Sequence, residues 1–209
     1  MNRLVKAALP PAVLFVIVIA AWHSLVVGFG IKAFLLPKPI GVWHAAVENR
    51  SELLTAIGLT AGAALCGFVS SLLIGSLIAC VFSQSRMIRS SCYPYAIFLQ
   101  TVPIVAVAPL IVVWFGAEFR SVVLVSFIIS LFPIVTNVTT GMLSIDPDLL
   151  DLFRLYRASR WQLLWKLRLP HSVPFLVTGA RTSSGMAVVG AIVGEFFAGI
   201  AADRHGLGY

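Results

Sequence analysis

Asp148, Asp151 and Arg154 recur at three-residue intervals inside the stretch from Asp146 to Pro170, the longest charged, non-spanning segment in a chain that is otherwise mostly hydrocarbon. Leu149, Leu152, Phe153 and Tyr156 follow the i, i+3, i+4, i+7 pattern of one helical face, which leaves the charges on the opposite face. The chemistry such a pattern performs is non-covalent: a short amphipathic helix offered to something else. Asp146 suits an N-cap, and Pro147 suits the first helical position, where a missing N–H costs nothing. Ser159 and Gln162 have capping-box spacing, so a second helix is predicted to start at Arg160. Pro170 is expected to end it. Three readings fit this helix–turn–helix: docking into a partner's groove, a solvated loop that is merely helical, or a basic helix lying on lipid headgroups. Trp161, Trp165, Arg160, Lys166 and Arg168 favour the last.

Covalent chemistry finds little support. No Gly-x-x-x-x-Gly-Lys-Ser/Thr run is present, so the chain offers no P-loop for ATP phosphates. Nor is there a His-Glu-x-x-His, Cys-x-x-Cys or nucleophile-elbow pattern. His23, His44, His171 and His205 are scattered, and Cys66, Cys80 and Cys92 match no zinc spacing. The chain is expected not to be an enzyme and to need no cofactor or metal. Any ATP hydrolysis is expected on a separate subunit. Two ionisable residues fall within the last apolar run, Arg181 and Glu195. At 1.5 Å per residue they are about 21 Å apart along a helix and cannot pair with each other. Arg181 is expected to snorkel to the headgroups, and Glu195 either faces a cavity or partner or meets interfacial water. Gln100, Thr101, Asn137 and Thr140 are candidate path-lining residues alongside Glu195, or equally hydrogen-bonding glue between helices.

The elements that must position these groups are membrane spans. Of 209 residues, 59% are hydrophobic and 11% charged, a balance that marks an integral membrane protein. The net charge of +7 clusters beside apolar runs, which fits the positive-inside rule and not nucleic-acid binding. Five runs are long enough for roughly 30 Å of hydrocarbon: about 8–29, 54–82, 93–115, 121–143 and 175–198. The expected fold is therefore all-α and polytopic, with a first unit of one span and a polar outer connector over residues 1–53, and a core over 54–209 that carries the loop 146–171. The first run follows Arg3 and Lys6 and is read as a retained span, since it lacks a small-x-small cleavage site. The second carries Gly58-x-x-x-Gly62 and Ala63-x-x-x-Gly67, spacings that let helix backbones approach closely. The third holds Pro94, Pro103 and Pro109 and is expected to be one bent span. Arg3, Lys6, Arg86, Arg89, Arg154, Arg157, Arg160, Lys166 and Arg168 lie on one side, against Lys32, Lys38, Arg50, Arg120 and Arg204 on the other. That bias puts the N-terminus and the helical loop in the cytoplasm.

Several runs resemble the inner-membrane permease subunits of binding-protein-dependent ABC importers, most closely the nitrate/sulfonate/taurine branch that includes thiamine-precursor importers. Val102–Gly116 carries Pro103, Ala108-Pro109-Leu110 and Trp114-Phe115-Gly116, and the next run carries Phe132-Pro133, Asn137, Gly141 and Asp146-Pro147 in the family's places. The loop fits the permease coupling motif, Glu-Ala-Ala, three residues, Gly, nine residues, Ile-x-Leu-Pro, in the register Asp151-Leu152-Phe153, Arg157, Leu167-Arg168-Leu169-Pro170. The departures are Asp151 for glutamate, Leu152 and Phe153 for alanines, and Arg157 for glycine. Glycine there supplies a left-handed residue at a helix end; arginine at that point costs about 1 kcal/mol or more, or the turn takes another form. Gly206-Leu207-Gly208-Tyr209 resembles a family sequence that precedes one more span, so a sixth span is expected to be missing.

The resemblance implies alternating access. It makes Leu149, Asp151, Leu152, Phe153, Arg154, Tyr156, Arg157, Ala158, Ser159, Leu169 and Pro170 the coupling loop to a cytoplasmic ATP-binding subunit. It also implies a periplasmic or lipid-anchored solute-binding protein, a second permease copy (a homodimer), a bacterial inner-membrane location in contact with lipid, and no nucleic-acid partner. The implied solute is a small anion or organic molecule of the nitrate, sulfonate, taurine or thiamine-precursor kind. An ion-gradient-driven secondary transporter would favour mid-membrane acids and an internal repeat, and neither is evident. A non-transporting membrane scaffold is weighed against by the prolines and polar residues of the third and fourth runs.

Overall fold

A computed structural model describes residues 3–199 and 206–208, with side chains from residue 9 onward. Arg204, His205 and Tyr209 lie outside the described residues, as do the side chains of Arg3 and Lys6. Among the described residues every regular element is helical. The chain divides into two compact units, residues 1–54 and 55–209.

In the first unit, α1 (Arg3–Gly28) incorporates Pro10 and Pro11. It ends where Gly30 turns left-handed at φ 59°. The Ile31 N–H then reaches the Val26 carbonyl at 3.1 Å and the Gly30 N–H the Val27 carbonyl at 3.3 Å, the paired bonds of a Schellman stop. Within the expected polar connector a short helix forms, α2 (Pro39–Glu48), with Pro39 at its first turn.

The second unit is built on α3 (Arg50–Gln84, of which residues 55–84 belong here), α6 (Phe119–Leu143) and α9 (Leu169–Gly199). Small residues set their directions. A Cβ added to Gly67 would lie 2.7 Å from Ser126 Cβ, and one added to Gly75 would lie 2.9 Å from Ile134 Cγ2. The numbers rise together, so α3 and α6 run parallel. Against α9 they fall: the Ser126 hydroxyl donates to the Ala187 carbonyl at 2.9 Å and the Ser183 hydroxyl to the Ser130 carbonyl at 2.7 Å. Gly190 and Gly194 press on the α6 backbone at Ser126 and Val122. Small faces and buried hydroxyls are how helices associate where lipid gives no hydrophobic drive.

The third apolar run is two helices with a sharp break between them, not one continuously curved helix. α4 (Arg86–Thr101) and α5 (Ile104–Phe115) meet at 99°. Val102, forced extended by the following proline, sits at ψ 122°, and Pro103 caps α5. Since α3 and α6 are parallel, the α4–α5 pair carries the chain from the Gln84 end back to the Gly62 end, and together they make one broken crossing. Among the described residues, four single helices plus this pair give up to five spans.

The loop after α6 contains α7 (Pro147–Leu155) and α8 (Arg160–Leu163). Pro170 does not stop α8. One wide π turn, Leu164–Arg168, joins α8 to α9, with the Leu169 N–H bonded to the Leu164 carbonyl. The wider turn makes room for a ring that would otherwise meet the carbonyl four residues back. Arg160–Gly199 is consequently one continuous 40-residue helical rod.

Candidate functional site

The loop's first half is fixed at both ends. The Asp146 carboxylate accepts from the Asp148 N–H at 2.9 Å. At the other end Arg157 takes the left-handed conformation, φ 50°, the only non-glycine among the described residues to do so. The Ala158 N–H bonds the Phe153 carbonyl at 3.0 Å and the Arg157 N–H the Arg154 carbonyl at 2.9 Å. That is the same stop used at Gly30, made here by arginine. Ser159 and Gln162 then exchange both bonds of a capping box, at 2.8 and 3.2 Å.

Between the caps, α7 stays exposed. Leu149, Leu152, Leu155 and Tyr156 are all open to solvent, Tyr156 at 79%. Leu152, Phe153 and Tyr156 gather with Ala158, Gln162 and Lys166 around a hollow of about 370 Å³. Asp151 and Arg154 form an exposed ion pair at 2.8 Å. Such a pair contributes well under 1 kcal/mol to the helix itself, so its charges remain available to a partner.

The loop's root is packed. Ile145 is buried, and Leu164 joins Ala79, Ile134, Val138 and Met142 in one apolar cluster. Two polar ties reach α3: the Gln84 amide donates to the Arg160 carbonyl at 3.3 Å, and the Arg168 guanidinium donates to the Ser83 carbonyl. Leu169 and Pro170 lie in the helix immediately beyond. The ties to α3 leave no mark in sequence, and the π turn's one signal is a proline inside an otherwise helical run.

The five path candidates separate into three places. Gln100 and Thr101 sit at the α4–α5 break and line a cavity of about 300 Å³ with Phe132, Pro133 and Met186. Asn137 and Thr140 share a face of α6, but each hydroxyl or amide bonds a carbonyl of its own helix, at 2.8 Å. Glu195 is 7% exposed and borders a separate cavity of about 380 Å³ with Leu59, Glu118 and Phe119. Its Oε2 accepts from the Thr60 hydroxyl at 2.9 Å and from the Gly208 N–H at 3.1 Å, while the Leu207 N–H donates to Thr60 Oγ1 at 3.1 Å. Its partners therefore come from α3 and from a turn thirteen residues on, a pairing that helical spacing does not reveal. Arg181 is exposed.

Residues 71–207 match the family described as binding-protein-dependent transport system inner membrane component. The chain is 37% identical, over its whole length and 77% of the relative, to the riboflavin transport system permease protein of Chloroflexus aurantiacus. It is 30% identical, over 97% of the chain and 79% of the relative, to the formylaminopyrimidine transport permease protein of Halalkalibacterium halodurans. Against the nitrate import permease protein of Synechocystis, identity is 24% over 90% of the chain and 72% of the relative.

Proposed function

Because the chain belongs to the family of binding-protein-dependent transport system inner membrane components, as a permease of the nitrate/sulfonate/thiamine-precursor branch of ABC importers, we propose that its 146–170 loop is the lever on which a cytoplasmic ATP-binding subunit acts. The observation that carries the proposal is mechanical. α7 is capped at both ends, its exposed face is unspent, and the second half of the loop, α8, runs without interruption into α9. A push on Leu152, Phe153 and Tyr156 is delivered to the Arg160–Gly199 rod and, through Ser83 and Gln84, to α3. A frayed loop would absorb the same push. For ATP to drive transport it must favour one arrangement of the bundle by a few kcal/mol.

In this reading the N-terminus and the loop face the cytoplasm of a bacterial inner membrane, two copies of the chain enclose the path, and a solute-binding protein delivers at the outer face. The solute path runs past the break between the discontinuous helices α4 and α5, where Gln100, Thr101, Phe132 and Met186 gather. An amide, a hydroxyl and an aromatic ring suit a small planar nitrogen heterocycle, the kind named for the riboflavin and formylaminopyrimidine permeases.

The test reverses the ion pair. Asp151→Lys with Arg154→Glu keeps an i, i+3 pair on α7 but inverts the charges offered to the partner. In proteoliposomes of the assembled complex, uptake of riboflavin or formylaminopyrimidine is expected to fall at least tenfold while membrane insertion is retained. Undiminished uptake would overturn the lever.

A further inference from the structure

Arg160, Trp161 and Trp165 take no part in the docking face of the loop. They line a second, larger groove of about 970 Å³, whose opposite wall is α3 from Leu72 to Gln84 and whose rim includes Ser85 and Ile88 of the α3–α4 corner. From Leu72 to Gln84 is about 18 Å along a helix, close to the roughly 15 Å of hydrocarbon in one leaflet. Leu73 and Leu77 stand open on that wall, at 64% and 65% exposure. Apart from Ser76 on the α3 wall, the polar groups collect at the loop end, and so does the one basic residue of the lining, Arg160. Gln84, Ser85 and Arg160 form the rim, Trp161 and Trp165 lie one turn apart at 68% and 66% exposure, and no acidic residue lines the groove. Arg168 lies just behind, with Arg89 near enough to act on it electrostatically and with its own Nε buried and unpartnered.

We propose that this groove binds a phospholipid with an anionic headgroup, its acyl chain lying along Leu73 and Leu77 and its phosphate at Arg160. An apolar trough one leaflet deep, closed at the headgroup level by tryptophans and arginines, has the shape and charge of a lipid. A helix from a second copy fits less well. The first span, on the orientation proposed above, would bring Arg3 and Lys6 to a rim that is already positive. The lipid assignment rests on the functional reading for which leaflet supplies the lipid and for the orientation that disfavours a second copy's first span. The lipid then lies between α3 and the α8–α9 rod, where lever movement changes the groove's width.

The assembled complex is placed in nanodiscs of equal parts phosphatidylglycerol and phosphatidylcholine, and retained lipid is counted by native mass spectrometry. Phosphatidylglycerol is expected to be enriched at least about fivefold, the Boltzmann factor for the roughly 1 kcal/mol that one basic residue, Arg160, contributes at the surface. Arg160→Gln with Arg89→Gln is expected to bring the ratio toward unity. Leu77→Trp, which fills the trough, is expected to displace both lipids. Equal retention of the two lipids by the unaltered complex would overturn the assignment, as would enrichment that survives Arg160→Gln with Arg89→Gln. Cross-linking of two copies through a cysteine at Leu77 would assign the groove to the second subunit instead. None of these outcomes bears on whether the loop engages an ATPase, which the charge reversal reads separately.

Discussion

Replacing Arg157 with glycine should tighten the 146–170 loop. Arg157 holds φ 50°, a conformation that costs a side-chain-bearing residue about 1–2 kcal/mol. Glycine removes that strain but gives the unfolded loop more freedom, worth roughly 0.5–1 kcal/mol. The difference favours Arg157→Gly by about 0.5–1 kcal/mol, a factor of roughly two to five in the local opening equilibrium. The place to read it is the Ala158 amide, whose bond to the Phe153 carbonyl closes the turn. Hydrogen exchange there should slow two- to fivefold in the variant. Arg157→Ala, which keeps the strain and removes the guanidinium, should leave it near the original rate. The stop at α1 supplies an internal comparison, since Gly30 makes the same pair of bonds at φ 59° and Gly30→Ala should speed exchange at Ile31. Exchange at Ala158 that is unchanged or faster in Arg157→Gly would refute the claim that arginine carries backbone strain at this position.

The bundle and its buried acid give further expectations. Gly190→Leu forces a Cβ to within 2.7 Å of the Ser126 Cα, so α6 and α9 must part, at a cost of about 1–3 kcal/mol. Gly58→Leu, at a position with no neighbour within 4 Å, should be near neutral; equal melting temperatures for the two variants in detergent would contradict the packing. Thr60→Val removes the hydroxyl that joins Glu195 to the 206–208 turn and should destabilise by about 1–3 kcal/mol, since it strips one of two hydrogen-bond donors from a buried carboxylate and leaves the Leu207 N–H without its acceptor. An unaltered melting temperature would show that the carboxylate finds other partners.

The long apolar runs made the spans legible, because only helices satisfy their own backbone within hydrocarbon. The caps of the loop were equally legible: Asp146, Ser159 and Gln162 act through neighbours two or three residues away, and short-range spacing reports short-range bonds. What sequence withheld depends on geometry beyond one helical turn. Pro103 announced a disturbance, but apolar periodicity runs through a 99° break as easily as through a gentle bend. Pro170 has the standing of a helix stop, and only the π turn before it lets the rod continue. Gly41 and the aromatic and small residues around Trp43 gave the polar connector no clear helical face, so α2 went unread. The Thr60–Glu195 bond spans 135 positions and the Arg168–Ser83 tie 85, and no local pattern encodes either. Arg157 shows the reverse case: a residue type that argues against a left-handed stop, and a loop that forms one because the capping bonds on both sides demand it.

The central claim is that α7 meets the subunit that hydrolyses ATP. A photoreactive amino acid at Phe153, in the complex assembled in its native membrane, tests it most directly. The account predicts a cross-link to the cytoplasmic ATP-binding subunit, with a yield that changes between nucleotide-free and ATP-bound states. Cross-links to lipid alone, or to a protein on the opposite side of the membrane, would contradict it.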